Sequence, residues 1–304
     1  MVASGKKPIA ARQSGIIVAS FGRQYRVELA DGTIIACVRR GKRGDLACGD
    51  QVTIAATAQG QGVIEAIEPR ATLFYRSDIQ REKLIAANVT QIVIVLATAP
   101  AFHRELLDRC LAAAEHEKIR ALIALNKMDL ASSPAALQSL EPYRALGYDV
   151  LPLAAKIDIA PLRAQLAGHI SVLVGQSGMG KSTIINRLLP EAAARVGELS
   201  AALSSGRHTT THARLYHLDR SSHIIDSPGL QEFGLHHVSP QDLEHGFVEF
   251  RPYLGLCKFN DCRHLSEPGC AITAAMQGGA INPQRVESYR RLVTQLMRKP
   301  KRYA

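Results

Sequence analysis

One glycine-rich stretch limits the possible folds of this chain more than any other feature. Its sequence is Gly175-Gln176-Ser177-Gly178-Met179-Gly180-Lys181-Ser182. It follows the apolar run 170–174 and precedes residues 183–189, whose pattern predicts a helix. A G-x-x-x-x-G-K-S loop between a strand and a helix is typical of proteins that bind a nucleoside triphosphate. An ordinary glycine-rich turn with an incidental lysine is the weaker explanation, because the full spacing and both flanks match the motif.

The residue types of this loop follow from the chemistry of phosphate binding. Glycines let successive backbone N–H groups point at phosphate oxygens, and the start of the helix adds partial positive charge. Lys181 is predicted to be a catalytic residue that reaches the β- and γ-phosphates, and the Ser182 hydroxyl is predicted to bind Mg²⁺. We expect the whole loop, together with Thr183, to contact the nucleotide.

The charge of the chain favours a polyanionic partner. Lys and Arg (37) outnumber Asp and Glu (27), which gives a net charge of +10. One basic cluster spans residues 39–43, and seven basic residues lie between Arg285 and Arg302. Each cluster alone is equally compatible with a solvated surface, but two clusters at opposite ends favour nucleic acid. We expect the arginines of a helix over 283–298 to face RNA phosphates.

Composition also argues against secretion and membrane insertion. The first fifteen residues lack the apolar core of a secretory signal. The uncharged run 84–103 is interrupted by polar residues and Pro100, so we predict a buried parallel strand there. Three of the six cysteines lie within 257–270, which suits a reducing compartment with one metal site better than disulfides. We expect a cytoplasmic monomer with no membrane partner.

The first part of the chain has the pattern of a small β-barrel. Its β-rich runs are separated by glycines, and an Asp31-Gly32 turn joins two of them. The predicted strands span residues 15–18, 25–29, 33–38, 51–54 and 63–67. Five such strands suggest a barrel of the OB type, which often binds nucleic acid. With only Phe21 and Tyr25 as aromatic candidates, we expect contact with the phosphate backbone rather than with bases.

After Glu68-Pro69-Arg70 the pattern changes to alternating strands and helices. We predict a strand over 91–97, a helix over 102–118 and a strand over 120–125. Such alternation builds a parallel sheet with helices on both faces. The expected domains are residues 1–69, 70–238 and 239–304.

Two further motifs predict recognition of guanine. The strand over 120–125 ends in Asn126-Lys127-Met128-Asp129, the N-K-x-D motif with which GTPases read the base. The Asp129 carboxylate can accept hydrogen bonds from the guanine N1–H and amino group, a pairing that adenine does not offer. A later strand closes with 151–156, where Ala155 and Lys156 match the S-A-K loop of GTPases although Ala154 replaces its serine. We expect these residues to bind the base.

Two polar stretches after the phosphate loop resemble the switch regions of GTPases. Residues 205–212 form a polar run in which Thr210, or its neighbour Thr211, is predicted to complete the Mg²⁺ ligands. The second stretch is Asp226-Ser227-Pro228-Gly229, a D-x-x-G motif. We expect Asp226 to hold Mg²⁺ through water and the Gly229 N–H to meet the γ-phosphate.

The motifs are complete but occur in a rotated order. In ordinary small GTPases the phosphate loop comes first, whereas here N-K-x-D and the S-A-K-like loop precede it. Together with the barrel, the run 206–211 and a C-terminal Cys/His cluster, this order resembles the RsgA family of small-ribosomal-subunit-dependent GTPases. The resemblance implies an OB-fold barrel, a circularly permuted P-loop GTPase core and a helical zinc module. It also implies a late-acting biogenesis factor that binds the small subunit and its rRNA and is stimulated by it to hydrolyse GTP to GDP.

The C-terminal cluster has the composition of a metal site. Its ligands follow the pattern Cys257-x₄-Cys262-x-His264-x₅-Cys270. Three thiolates and one imidazole suit a closed tetrahedral zinc site. By spacing alone, free thiols with a surface histidine remain an alternative. The family resemblance implies one structural zinc ion.

The residue that positions the attacking water is the least determined part of the site. Many GTPases carry a glutamine directly after D-x-x-G, but this chain has Leu230, which cannot orient water. We therefore expect slow intrinsic hydrolysis, with His237 as the candidate water-positioning residue. Two alternatives stay open: an ATPase or kinase that uses the same loop, and a nucleotide-gated RNA-binding scaffold with little catalysis of its own.

Overall fold

A computed structural model describes residues 12–41, 46–58, 60–78, 81–190, 213–226, 235 and 238–297. The N-terminal part is a closed five-stranded barrel, as predicted. Its strands are β1 (Arg12–Phe21), β2 (Gln24–Leu29), β3 (Ile34–Arg39), β4 (Gln51–Ala58) and β5 (Gln61–Ile67). Strand β1 pairs with both β2 and β4, and β3 runs parallel to β5, so the sheet closes on itself. Alternate residues such as Ile17, Val27 and Ile54 fill the interior.

The central part is a mostly parallel sheet with helices on both faces. It contains β8 (Gln91–Leu96), α1 (Arg104–Glu117), β9 (Arg120–Leu125), α2 (Ser133–Gln138), α3 (Glu141–Ala145), β10 (Asp149–Pro152), α4 (Ala160–Leu166), β11 (Ile170–Val174), α5 (Lys181–Leu188), β12 (Arg214–His217) and β13 (His223–Asp226). The strand order is β10-β9-β8-β11-β13-β12. All neighbours run parallel except β12, which is antiparallel to β13. This confirms the predicted α/β sheet.

Strand β8 shows why the sheet is covered on both sides. All of its residues are buried, as a central parallel strand requires. Ile92, Ile94 and Leu96 belong to the same apolar cluster as Leu107 and Leu111 of α1. On the opposite face, the intervening Val93 and Val95 share a second cluster with the apolar side chains of α4 and α5. The alternation of side chains along one strand therefore joins both helical layers.

A β-hairpin between the barrel and the central sheet was not predicted. It consists of β6 (Leu73–Asp78) and β7 (Arg81–Ala87), which form a separate two-stranded sheet. Asn88 has a positive φ of 58° and separates β7 from β8. The uncharged run 84–103 therefore covers the end of one strand and the whole of the next, which is why the sequence suggested only one.

Buried polar contacts fasten the barrel to this hairpin. The Asp50 carboxylate is fully buried and accepts hydrogen bonds from Arg70 Nε at 2.7 Å and Nη2 at 2.8 Å. Asn88 Nδ2 donates to the Gly49 carbonyl at 2.9 Å. A Cβ on Gly49, whose φ is 90°, would lie 2.2 Å from the Ala87 carbonyl oxygen, so only glycine allows the backbones to approach.

The barrel also continues the central sheet directly. Ala19 of β1 is paired with Arg214 of β12 in antiparallel register. The Ala213 carbonyl accepts hydrogen bonds from the Ser20 N–H at 3.2 Å and from Cys48 Sγ at 3.2 Å. The two parts therefore share main-chain hydrogen bonds, whereas the domain boundaries expected after residues 69 and 238 stay predictions.

The C-terminal part consists of short helices that pack against α1. They are α6 (Pro240–His245), a 3-10 helix (Val248–Tyr253), α7 (Ala271–Gln277) and α8 (Pro283–Met297). Phe247, Phe250 and Tyr289 are fully buried, with ring centroids 5.0–5.3 Å apart. They belong to the same apolar cluster as Leu107 and Leu111 of α1. This part therefore shares a core with the central sheet. No helix within the described ranges is long and apolar enough to cross a membrane.

The structure corrects the expectation that the arginines of the last helix face RNA for one of them, Arg285. Arg285 is 2% exposed, and its guanidinium donates to Asp108 Oδ1 at 2.7 Å and to Glu249 Oε1 at 2.6 Å. It also lies 4.4 Å from the ring centroid of Phe247. Because two carboxylates neutralise it, this charge is stable in the interior. Arg291 of the same helix is exposed, and residues 298–302 lie outside the described residues.

We expect Arg285→Ala to lower the free energy of unfolding of the C-terminal helices by about 3–5 kcal/mol, because it leaves two buried carboxylates without the positive charge that compensates them. The matched control Arg291→Ala removes an exposed ion pair and should cost less than about 1 kcal/mol. Urea unfolding followed by circular dichroism measures both. Equal losses for the two variants would contradict a buried anchor at Arg285.

Candidate nucleotide and metal sites

The phosphate loop connects β11 to α5, as predicted. Gly175, Gly178 and Gly180 have φ angles of 148°, 79° and 97°, which disfavour any residue with a side chain. A Cβ on Gly175 would lie 2.3 Å from the Val95 carbonyl oxygen, and one on Gly180 would lie 2.3 Å from Asn126 Nδ2. The glycines are therefore required both by the curl of the loop and by the close approach of neighbouring strand ends.

Lys181 and Asp226 lie close enough to influence each other. Burial lowers the pKa of Lys181, and the charge of Asp226 opposes this shift. Burial likewise raises the pKa of Asp226, at the end of β13, and Lys181 opposes that shift. Lys181 Nζ donates to the carbonyl oxygens of Gly175 at 2.5 Å and Gln176 at 2.7 Å. Ser182, the second residue of α5, is exposed. Among the predicted phosphate and Mg²⁺ ligands, Lys181 and Asp226 are thus brought together.

Asn126 ties the phosphate loop to the two base loops. Its side chain is buried; Nδ2 donates to the Met179 carbonyl at 3.0 Å, and Oδ1 accepts from the Ala155 N–H at 3.1 Å. Both the nitrogen and the oxygen of the Asn126 side-chain amide therefore form hydrogen bonds within the protein. The sequence placed Asn126 among the nucleotide contacts, and the structure gives it a role in holding three loops together.

The remaining residues of the base motifs lie on adjacent loops. The Met128 N–H donates to the Leu153 carbonyl at 3.1 Å, which joins the loops after β9 and β10. Lys127 has a φ of 63°, and its ammonium donates to the Ala99 carbonyl. Asp129 and Lys156 are exposed, so the Asp129 carboxylate is accessible to a base.

The phosphate loop also contacts the segment after β8, which carries no nucleotide motif. The His103 N–H donates to Gln176 Oε1 at 2.7 Å, and a Cβ on Gly178 would lie 3.0 Å from Pro100 Cδ. Ser177 is exposed, Met179 is buried and Thr183 is half-buried. The contacts of residues 100–103 with the phosphate loop were not predicted, because no local sequence pattern indicates them.

Three predicted site residues belong to stretches that the structure does not describe. Thr210, Gly229 and His237 lie outside the described residues, as does Leu230. Their roles stay predictions.

The strand order explains how the described motifs meet. The loops after β9, β10, β11 and β13 leave from the carboxyl ends of parallel strands, which lie at one edge of the sheet. From β8, the sheet extends in one direction through β9 and β10 and in the other direction through β11 and β13. Ligands of open α/β sheets bind at such a reversal of strand order. The phosphate loop lies at this point, with the base motifs on one side and Asp226, the first residue of the D-x-x-G motif, on the other.

The Cys/His cluster forms a second site. Cys257, Cys262, His264 and Cys270 each offer one ligand atom, and these atoms all lie within 4.8 Å of one another. His264 Nδ1 lies 3.5, 3.6 and 3.4 Å from the sulfurs of the three cysteines in chain order. A tetrahedral ion with metal–sulfur distances of about 2.3 Å and a metal–nitrogen distance of about 2.0 Å separates sulfur from nitrogen by about 3.5 Å. The cluster therefore fits a tetrahedral metal ion.

The protein environment favours one of these thiols as a thiolate. Burial raises the pKa of Cys270, but hydrogen bonds from Thr273 and His264 outweigh it and lower the pKa to about 7. The Ala271 N–H also donates to Cys257 Sγ at 3.3 Å. Backbone donors at the start of α7 thus point at the sulfurs, which stabilises the charge that metal binding requires.

The fold and the nucleotide site define a P-loop GTPase core with circularly permuted motifs, flanked by a barrel and a Cys/His module. The family model of the RsgA GTPase matches residues 67–236. A relative from Nitrosospira multiformis, named small ribosomal subunit biogenesis GTPase RsgA, is 55% identical over 283 residues, covering 93% of this chain and 90% of that protein. The chain belongs to the RsgA GTPase family.

Two solved structures share this architecture. The crystal structure of YjeQ from Thermotoga maritima matches with a TM-score of 0.74 at 29% identity, covering 94% of this chain and 99% of that one. The structure of YloQ, described as a circularly permuted GTPase, matches with a TM-score of 0.70 at 26% identity, covering 99% and 100%. Both cover nearly the full chain, so the whole multidomain fold is shared.

We expect Gly180→Ala to weaken nucleotide binding at least about tenfold, a loss of about 1.4 kcal/mol, because its Cβ would displace the Asn126 amide. Gly168→Ala is the matched control: its φ is 73°, but no atom lies within 4 Å of the added Cβ. The control should cost about 1–2 kcal/mol of stability through backbone strain alone. Titration with a fluorescent guanine nucleotide measures the affinities. If Gly180→Ala and Gly168→Ala bind the nucleotide with equal affinity, displacement of the Asn126 amide is not the cause of weaker binding.

Proposed function

We propose that this chain is a Mg²⁺-dependent GTPase that acts in late maturation of the small ribosomal subunit. The observation that carries the proposal is the extent of the similarity. It covers 93% of the chain, and so includes most of the barrel and the Cys/His module as well as the GTPase core. A shared nucleotide domain alone would indicate only a class of chemistry. Shared appended domains support a shared partner, the small subunit with its rRNA.

Hydrolysis requires that the phosphates be held and their developing charge neutralised. Lys181 and the backbone N–H groups of the phosphate loop hold the β- and γ-phosphates, and the Gly229 N–H meets the γ-phosphate. Ser182, Thr210 and Asp226 are the residues that would hold Mg²⁺, which neutralises charge on the phosphate oxygens. Burial at Lys181 strengthens its electrostatic interaction with phosphate, because fewer water molecules screen it.

Preference for GTP rests on the loops after β9 and β10. The exposed Asp129 carboxylate accepts from the guanine N1–H and amino group, while Ala155 and Lys156 lie on the adjacent loop. Adenine presents an acceptor at N1, so its approach would place two acceptors together. This argues against the ATPase alternative. Asn126 supports the preference by holding both base loops to the phosphate loop.

A structural zinc ion is the proposed occupant of the Cys/His cluster. Three thiolates and one imidazole leave no open coordination position, so the ion would supply stability rather than catalysis. The segment 254–270 contains no helix or strand. Such a segment depends on metal ligation for its fold.

The barrel is proposed to contact rRNA mainly through phosphates. Tyr25 is buried, so Phe21, with 38% exposure, is the only one of the two aromatic candidates at the surface. Arg23 and Arg26 are exposed on the same part of the barrel. At the other end of the chain, Arg291 is exposed while Arg285 is not. We further propose that the protein acts as a cytoplasmic monomer, with no membrane partner.

The test of the function is GTP hydrolysis with and without purified small ribosomal subunits, with ATP as the control nucleotide. We expect slow turnover alone and at least about tenfold stimulation by the subunits, because a bound partner orders the groups that position water and charge. Stimulated hydrolysis of ATP would support the ATPase alternative. Tight GTP binding without stimulation would favour the nucleotide-gated scaffold.

His237→Ala is expected to lower the stimulated rate about 100-fold or more if His237 positions the attacking water, as general acid–base and positioning groups contribute on this scale. His236→Ala, one residue earlier, is the matched control and should leave the rate near that of the wild type. Both rates are measured by phosphate release in the presence of subunits. An unchanged rate for His237→Ala would remove the residue from the mechanism.

A further inference from the structure

The orientation of His264 leaves one ring nitrogen facing away from the metal ligands. Its Nδ1 faces the three cysteine sulfurs, whereas Nε2 lies 3.2 Å from Oε2 of Glu244 on helix α6. An imidazole that binds a metal through Nδ1 carries its proton on Nε2. In the metal-bound protein that N–H therefore donates to the Glu244 carboxylate.

The ring has little freedom to turn away from this contact. His264 is 3% exposed, and the rings of Phe250 and Tyr289 lie 6.3 and 6.0 Å from its centroid. Its backbone has a positive φ of 59°, and its carbonyl accepts from Arg290 Nε at 2.8 Å. Backbone and ring packing thus aim Nε2 at Glu244, which belongs to a different element from all four ligands.

Glu244 is itself held by a well-defined helix. Ser239 caps α6 by accepting a hydrogen bond from the Asp242 N–H at 3.0 Å. Leu243, the neighbour of Glu244, is buried in the cluster that includes α1 and α8. The carboxylate is therefore presented from a packed helix rather than from a mobile loop.

We propose that Glu244 is the positioning residue of the metal centre and that its contact with His264 couples metal binding to the stability of helix α6. This inference rests on the proposed metal site. A carboxylate that accepts from a ligating histidine fixes its tautomer and ring orientation and raises its basicity, and losing such a partner weakens metal binding about 10–100-fold. Because the hydrogen bond joins two elements, the metal and α6 stabilise each other.

The first test measures zinc affinity in the full chain. Glu244→Gln and the wild type are titrated against a chromophoric chelator of known zinc affinity, and we expect the variant to bind about 10–100-fold more weakly. Glu287→Gln is the matched control, with the same loss of charge at an exposed residue that pairs with Arg291. The control should stay within about twofold of the wild type, since exposed pairs contribute little. Equal affinities for all three proteins would overturn the role of Glu244.

The second test separates positioning from general stability. Addition of zinc should raise the melting temperature of Glu244→Gln by less than that of the wild type, with each protein compared with its own zinc-free form. Zinc should slow hydrogen exchange of the Leu243 and Gly246 amides in the wild type but not in Glu244→Gln. Equal slowing in both would overturn the coupling to α6. A wild-type protein that binds no zinc would instead overturn the proposed metal site itself.

Discussion

The nucleotide site depends on the parallel pairing of β11 with β8 on one side and β13 on the other. Each strand leaves its carboxyl end at the same edge of the sheet, so the loops that come next must meet there. This requirement concerns hydrogen-bonded neighbours and not the order in which the chain visits them. A circular permutation changes only the connections between strands. The rotated motif order is therefore compatible with an intact site.

Features with a local cause could be predicted from the sequence, and features that depend on distant partners could not. The phosphate loop and the buried strand β8 follow from glycine spacing and an apolar run. Arg285 looks like a surface residue until its partner Asp108, 177 residues earlier, is placed beside it. Asn126 likewise gains its second role from Met179, 53 residues away. The base motifs could be recognised from the sequence pattern. The hydrogen bonds of Asn126 that hold their loops together could be seen only in the folded structure.

Buried ion pairs lie beside the barrel and beneath the C-terminal helices. Arg70 pairs with the fully buried Asp50 beside the barrel, and Arg285 pairs with Asp108 and Glu249 beneath the C-terminal helices. Apolar packing alone tolerates small shifts, whereas a buried charge is strongly destabilised when its partner moves away. These pairs therefore contribute orientation as much as stability, and Arg285 and Asp108 are 177 residues apart in the chain.

The permutation also connects each predicted switch stretch to a different appended domain. Residues 205–212 lead into Ala213, whose carbonyl accepts hydrogen bonds from the barrel at Ser20 and Cys48. Residues after Asp226 lead into α6, whose Glu244 contacts His264 of the Cys/His cluster. Under the proposed function, a partner that binds both domains would therefore contact the chain at the downstream end of each stretch. A ligand shifts an equilibrium only through contacts that differ between the two states, and the contacts at Ala213 and Glu244 are where a partner of the appended domains would have to supply that difference.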